Sequence, residues 1–199
     1  MLIEDQERAE IAEEMTLAVR ESGLSQNQFA RAMGTSPARM SAYTQGKTVP
    51  SAVLYRRAVR FAEARRRAMQ AGLVDPTSSA ERVNRALADE DEEWAFRQTL
   101  RCRDDLVFAL TRETGAVPAW RHRAARVQDP RFDQLIRALV EHCFEEAGRQ
   151  VPAWTESLYF DSPWEPEDPF RDSDTVRGET PDWLRRRGIH IAARTLSTA

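Results

Sequence analysis

With only two cysteines, Cys102 and Cys143, and three histidines, His122, His142 and His190, in 199 residues, the chain is short of catalytic and metal-binding side chains. Two thiols are too few for a disulfide framework, and their surroundings fit packed thiols on helices. No two histidines have the spacing of a helical zinc site. In "EHCFEE" His142, Cys143 and Glu145 lie together, but the spacing supplies no third partner for a metal or a nucleophile. The stretch therefore reads as a half-exposed histidine on an amphipathic helix. A glycine-rich phosphate loop is also missing. The acids Asp161, Glu165, Glu167 and Asp168 sit among prolines and tryptophans, which points to a surface or interface segment rather than a cation loop. The expectation is a chain that is not an enzyme and uses no cofactor and no metal. Nor does any run approach the ~20 apolar residues of a membrane span, and the opening "MLIEDQERAEIAEEM" is acidic where a signal peptide is basic and then apolar. A cytoplasmic protein without membrane attachment is expected.

The charge that is present is unevenly placed. The formal net charge is −3, yet residues 1–21 hold seven acids against Arg8 and Arg20, a net of −5. Residues 22–74 hold nine bases against Glu63 alone, a net of +8. A basic island between acidic flanks is the electrostatic footprint of a nucleic-acid contact, and equally that of a solvated arginine-rich helix face.

Helical periodicity dominates the first 150 residues. Ile11, Met15, Ala18 and Val19 recur at helical spacing, and Gly23 closes that helix. Ser25 with Gln28 forms a capping box for "SQNQFARAM", which Gly34 ends. Ser36 and Pro37 are an N-cap and a first-turn proline for a second short helix, which Gly46 ends. Pro50 and Ser51 open a longer helix with Leu54, Ala58, Phe61 and Ala62 on one face and arginines on the other. Two short helices around a glycine turn in a basic segment point to a helix-turn-helix, whose second helix enters the major groove. In that arrangement Met40 and Tyr43 face inward toward Phe29, Ala30 and Met33. Ala38, Arg39 and Ala42 project the other way, and their small bulk lets the helix approach the bases.

Residues 72–79, "GLVDPTSS", combine glycine, proline and small polar residues and read as a linker. Helical texture resumes over 80–150, with a break near Asp89 to Asp91 and a buried stripe of Phe132, Leu135, Ile136, Leu139, Val140 and Cys143. From Val151 to Ala199 the chain is rich in proline and aromatics, including Tyr159, which disfavours long helices without suiting a free tail. This segment is expected to pack on the second domain or await a partner. A short helix is expected at "PDWLRRRG" and an edge strand at "IHIAA".

The stretch "LSQNQFARAMGTSPARMSAYTQGKTVPS" resembles the helix-turn-helix of phage Cro and repressor proteins. Gln26, Ala30, Gly34, Met40, Tyr43, Gly46 and Pro50 carry the likeness, over roughly residues 8–70. Pro37 stands where that family often has a polar base reader, and Thr44 where it often has glutamate. The resemblance implies a mainly α chain. Its N-terminal bundle of about five helices over 1–71 is a DNA-binding domain, followed by the linker, the second helical domain and the partly extended C-terminal segment. It places Gln26 and Ser36 at helix starts facing the DNA, and Pro37, Ala38, Arg39 and Ala42 against the bases. Arg39 is the implied guanine reader and the alanines the implied contacts to thymine methyls. Gln45, Lys47 and Thr48 hold phosphates.

The helix-turn-helix implies a repressor of transcription that binds double-stranded DNA as a homodimer. The succession "AERVNRALADEDEEWAFR", "DPRFDQLIRALVEH", "PAWTESLYF" and "TPDWLRRRGIHIAARTL" is diffusely similar to actinobacterial antitoxin-like regulators, a likeness that implies a C-terminal region that binds and neutralises a toxin while the N-terminal domain represses their shared operon. Trp154, Trp164, Phe170 and Trp183 are its candidate anchors for a toxin or other protein partner, tryptophan being common at binding hot spots. Ordinary core packing is the competing reading of those aromatics. A protein-interaction or inhibitor module whose helix-turn-helix no longer binds DNA tightly is the competing reading of the whole chain.

Overall fold

A computed structural model describes residues 2–157, 162–168 and 170–197; Tyr159 and Asp161, singled out above, lie outside the described residues. The chain is mainly helical, about 67% helix. Nine α-helices run in order among the described residues: α1 (Leu2–Glu21), α2 (Gln26–Met33), α3 (Pro37–Thr44), α4 (Ala52–Gln70), α5 (Pro76–Ala88), α6 (Glu92–Thr111), α7 (Pro130–Glu146), α8 (Ser173–Glu179) and α9 (Asp182–Arg185). None of them is long and apolar enough to cross a membrane. The fold divides into two compact units, residues 1–77 with 108–125 and residues 78–107 with 126–199.

In the first unit, α1 packs on α3 and α4 because its apolar residues recur every three or four positions. Met15, Phe29, Met33, Met40 and Phe61 form the centre of the core, each at most 1% exposed. A hydroxyl of Tyr55 on α4 donates to the Glu14 carboxylate on α1. Four helices come from residues 2–70; the fifth helical element is a 3-10 turn far along the chain, Val117–Arg121, which packs on α4. Trp120 in that turn is fully buried, and the His122 ring that follows meets Phe61 edge to face at 5.5 Å.

This corrects the domain reading in two places. Residues 108–125 were expected in the second domain, yet their apolar residues Val117, Ala119 and Trp120 are buried in the first unit. The stretch 72–79 does contain a division point, between Thr77 and Ser78, but it is no linker. Val74, Asp75, Thr77 and Ser79 are all buried, and Pro76 already begins α5. Proline there serves as a first-turn residue, a position where its missing N–H costs nothing.

The second unit is organised by α7, whose Phe132, Leu135, Ile136, Leu139, Val140 and Phe144 are buried. Asp133 and Arg137, one turn apart on α7, form a buried ion pair at 2.9 Å. Arg137 also donates to the carbonyls of Trp154 at 2.5 Å and Glu156 at 2.9 Å, which fastens the 3-10 turn Ala153–Thr155 to the helix. The expected break near Asp89 to Asp91 separates α5 from α6, with Glu90 in the left-handed region at φ 58°. The expected edge strand at "IHIAA" reduces to one parallel bridge between Ile189 and Trp164, where Trp164 N–H donates to the Gly188 carbonyl and His190 N–H to that of Trp164.

Candidate nucleic-acid interface

Local chemistry builds the two short helices. The Ser25 hydroxyl accepts from the Gln28 N–H at 3.3 Å while the Ser25 N–H donates to Gln28 Oε1 at 3.0 Å, so two otherwise orphaned donors at the start of α2 are satisfied. Gly34 ends α2 at φ 71°, a conformation that costs most residues strain, and the Thr35 N–H turns back to the Ala30 carbonyl at 3.0 Å. Ser36 then caps α3 by accepting from the Arg39 N–H at 3.2 Å, with Pro37 in the first turn. After α3, Gly46 takes φ 67° and the Lys47 N–H donates to the Ala42 carbonyl at 2.9 Å.

Burial sorts the faces of α3. Met40 is fully buried and Tyr43 half-buried against the core. Ser36, Pro37, Ala38 and Arg39 are exposed at its start, Gln45, Lys47 and Thr48 at and beyond its end, and Ala42 is half-buried between them. Gln26, half-buried at the start of α2, accepts a 3.4 Å hydrogen bond from the Thr44 hydroxyl. The nine residues expected to face DNA are thus gathered on α3, its flanks and the adjoining start of α2. Thr44 supplies a tie between the two helices that the sequence did not reveal. Among the described residues neither Arg39 nor Lys47 has a carboxylate partner.

The basic side chains divide by what they touch. Arg65 is buried and bonded to Asp75 and to the Ser22 carbonyl, Arg66 pairs with Glu21 and Arg67 with Glu63. Arg65 is internal structure, whereas Arg66 and Arg67 form partly exposed surface pairs whose charge a carboxylate already offsets. Arg56, Arg57 and Arg60 are exposed on α4, at helical spacing with the 68% exposed Val53. Arg57 reaches the Met33 carbonyl at the end of α2 at 3.5 Å, which sets this stripe beside the turn between the short helices. Sequence reasoning counted these arginines but gave them no role, although the i, i+3, i+4, i+7 spacing was there to read. By contrast, the open groove between α1 and the end of α3 carries both signs, with Asp5 and Glu13 beside Arg8 and Arg20. Mixed charge makes it a poor seat for a phosphate backbone.

Burial displaces His122 and Cys143 among other titratable groups. Half-buried His122 is lowered to about 4, chiefly by desolvation and then by the charges of Arg57 and Arg121. Cys143 is raised to about 11, chiefly by desolvation, which leaves it a protonated packing residue at neutral pH. His142 beside it stacks on Trp183 with centroids 4.2 Å apart and rings 13° from parallel.

The partner anchors fare unequally. Trp164 is a correction: it is 8% exposed and packed on Phe132 at 5.0 Å, with the Arg131 guanidinium over its ring, so it belongs to the core of the second unit. Trp154 is half-buried on the turn held by Arg137, and Trp183 is half-covered by His142. Phe170 alone of the four stands clear, 89% exposed. No protein-family model, no curated protein and no solved structure matches the chain.

Proposed function

We propose that the chain is a sequence-specific DNA-binding regulator of transcription, a repressor that acts in the cytoplasm as a homodimer on a palindromic site. One observation carries the reading: α3 offers solvent a surface of small residues around a single unpaired guanidinium, Arg39, within a segment of net charge +8. A groove-facing helix needs that combination, since alanine and serine permit close approach while arginine pairs bidentately with guanine. Lys47, Thr48 and Gln45 lie where phosphates would fix the register.

Gel shifts on the DNA upstream of its own gene test this. Arg39→Ala is expected to lose discrimination between cognate and scrambled DNA, and Lys47→Ala to weaken both about equally. No shift by the unaltered protein at low salt would overturn the reading.

A second reading is favoured by Phe170, which is 89% exposed and of a residue type enriched at protein interfaces. In it the second unit holds a protein partner, as an antitoxin holds its toxin. A pull-down with the product of a neighbouring small gene, lost in Phe170→Ala, tests that role separately.

A further inference from the structure

Lys47 is the only lysine in the chain; the other 28 of its 29 lysine and arginine residues are arginines. The difference matters chemically. A guanidinium stays protonated and is a poor nucleophile, whereas a lysine ammonium can release its proton and attack an activated carbonyl. Lysine-directed side-chain chemistry on this protein therefore has one address, in the loop that follows α3.

That address is open and built. Lys47 is exposed and has no carboxylate partner among the described residues. The turn beneath it is fixed by Gly46 at φ 67° and by the N–H groups of Lys47 and Thr48, which donate to the Ala42 carbonyl at 2.9 Å and 3.3 Å. The last turn of α3 contains no basic residue, and Lys47 follows it at the carbonyl end, where positive charge is favourable. Removing this one charge would withdraw the phosphate contact assigned to it above and weaken the favourable field at the end of α3.

We propose that Lys47 is an acyl-acceptor site at which an acyl thioester of the acetyl-CoA type switches off a charge at the DNA-facing surface. The deprotonated Nζ attacks the thioester carbonyl, a C–N bond forms and the C–S bond breaks. The thiol leaves with a proton, and the side chain passes from +1 to neutral as an amide. No oxidant or reductant is needed. The inference rests on the DNA-binding reading above.

The test incubates the full chain with acetyl-CoA at mildly alkaline pH, maps the added mass by peptide mass spectrometry and titrates treated and untreated protein against upstream DNA. One side-chain acetyl group is expected, on Lys47. Affinity is expected to fall about three- to tenfold, and the slope of log affinity against log salt to shrink by about one, both per bound subunit. In Lys47→Arg the ratio of treated to untreated affinity should stay near one, which also controls for acetylation of the chain's amino terminus. A folded protein that leaves Lys47 unmodified, or an acetylated protein that binds DNA as the untreated one does, overturns the switch alone. Untreated protein that fails to shift DNA at low salt overturns the DNA reading and the switch with it.

Discussion

Arg65 and Asp75 form an ion pair in which both side chains are less than 5% exposed, and the Arg65 Nε–H donates to the Ser22 carbonyl at 2.8 Å. One guanidinium thus joins α4, the end of α1 and the start of α5. Removing one member strands a buried charge, and such losses cost about 3–5 kcal/mol. Asp75→Ala should lower the stability of the first unit by that order, read from denaturant unfolding. A loss within about 0.5 kcal/mol would mean that water reaches Arg65.

The same pair marks where local reading stops. The caps Ser25 and Ser36, the stops Gly34 and Gly46 and the inward Met40 follow from neighbours a few residues away, and all were legible in the sequence. Asp75 looked like part of a turn, because glycine and proline flank it and its partner is a distant arginine on another helix. Trp120 was likewise unplaced, since nothing in "TGAVPAW" says that it returns to α4. Trp164 and Phe170 share one proline-rich stretch of similar composition, and only the position of Phe132 and Arg131 decides which is covered. Contacts that are local in sequence were readable; those closed by the tertiary fold were not.

His122 gives the first unit a pH dependence of known sign. Its pKa is held at about 4, chiefly by desolvation, against 6.5 in the unfolded chain. As pH falls below 6.5 the unfolded chain binds a proton there and the folded one does not, so stability is lost until about pH 4. Water still screens the half-buried ring, so the loss amounts to about 2 kcal/mol. Unfolding curves at pH 7 and pH 4.5 should show His122→Gln losing less stability than the unaltered protein over that interval. Equal losses would place the His122 titration near its ordinary value.

Gly34 isolates a backbone cost. It sits at φ 71°, and a Cβ built there has no neighbour within 4 Å. Gly34→Ala should therefore destabilise through conformation alone, by about 1 kcal/mol, with Gly34→Asn costing less because asparagine tolerates the left-handed region. Thermal unfolding of the two variants measures the order. Asparagine costing more than alanine would point to packing around the turn instead.

Trp164 and Phe170 should separate stability from partner binding. Trp164→Ala empties a core position beside Phe132 and is expected to cost about 3–5 kcal/mol. Phe170→Ala, at a site 89% exposed, should change stability by less than about 0.5 kcal/mol. Circular dichroism melts of both, beside a partner pull-down, give the pattern. Substantial destabilisation by Phe170→Ala would assign that ring to the fold and remove the support for a protein partner.

The α4 arginines extend the DNA prediction beyond α3. Arg56 and Arg60 are exposed on the stripe that Arg57 ties to the end of α2, and they have no carboxylate partner among the described residues. If phosphates run along that stripe, each neutralised phosphate contributes about 0.9 to the salt slope. Arg56→Gln with Arg60→Gln should therefore flatten log affinity against log salt by nearly two per bound subunit while leaving the preference for cognate over scrambled DNA unchanged. Arg39→Ala should do the reverse, with a large loss of preference and a small change of slope. Fluorescence anisotropy across a salt series on both DNAs separates the two effects. An unchanged slope in the double variant would confine the DNA contact to α3, its loop and the start of α2.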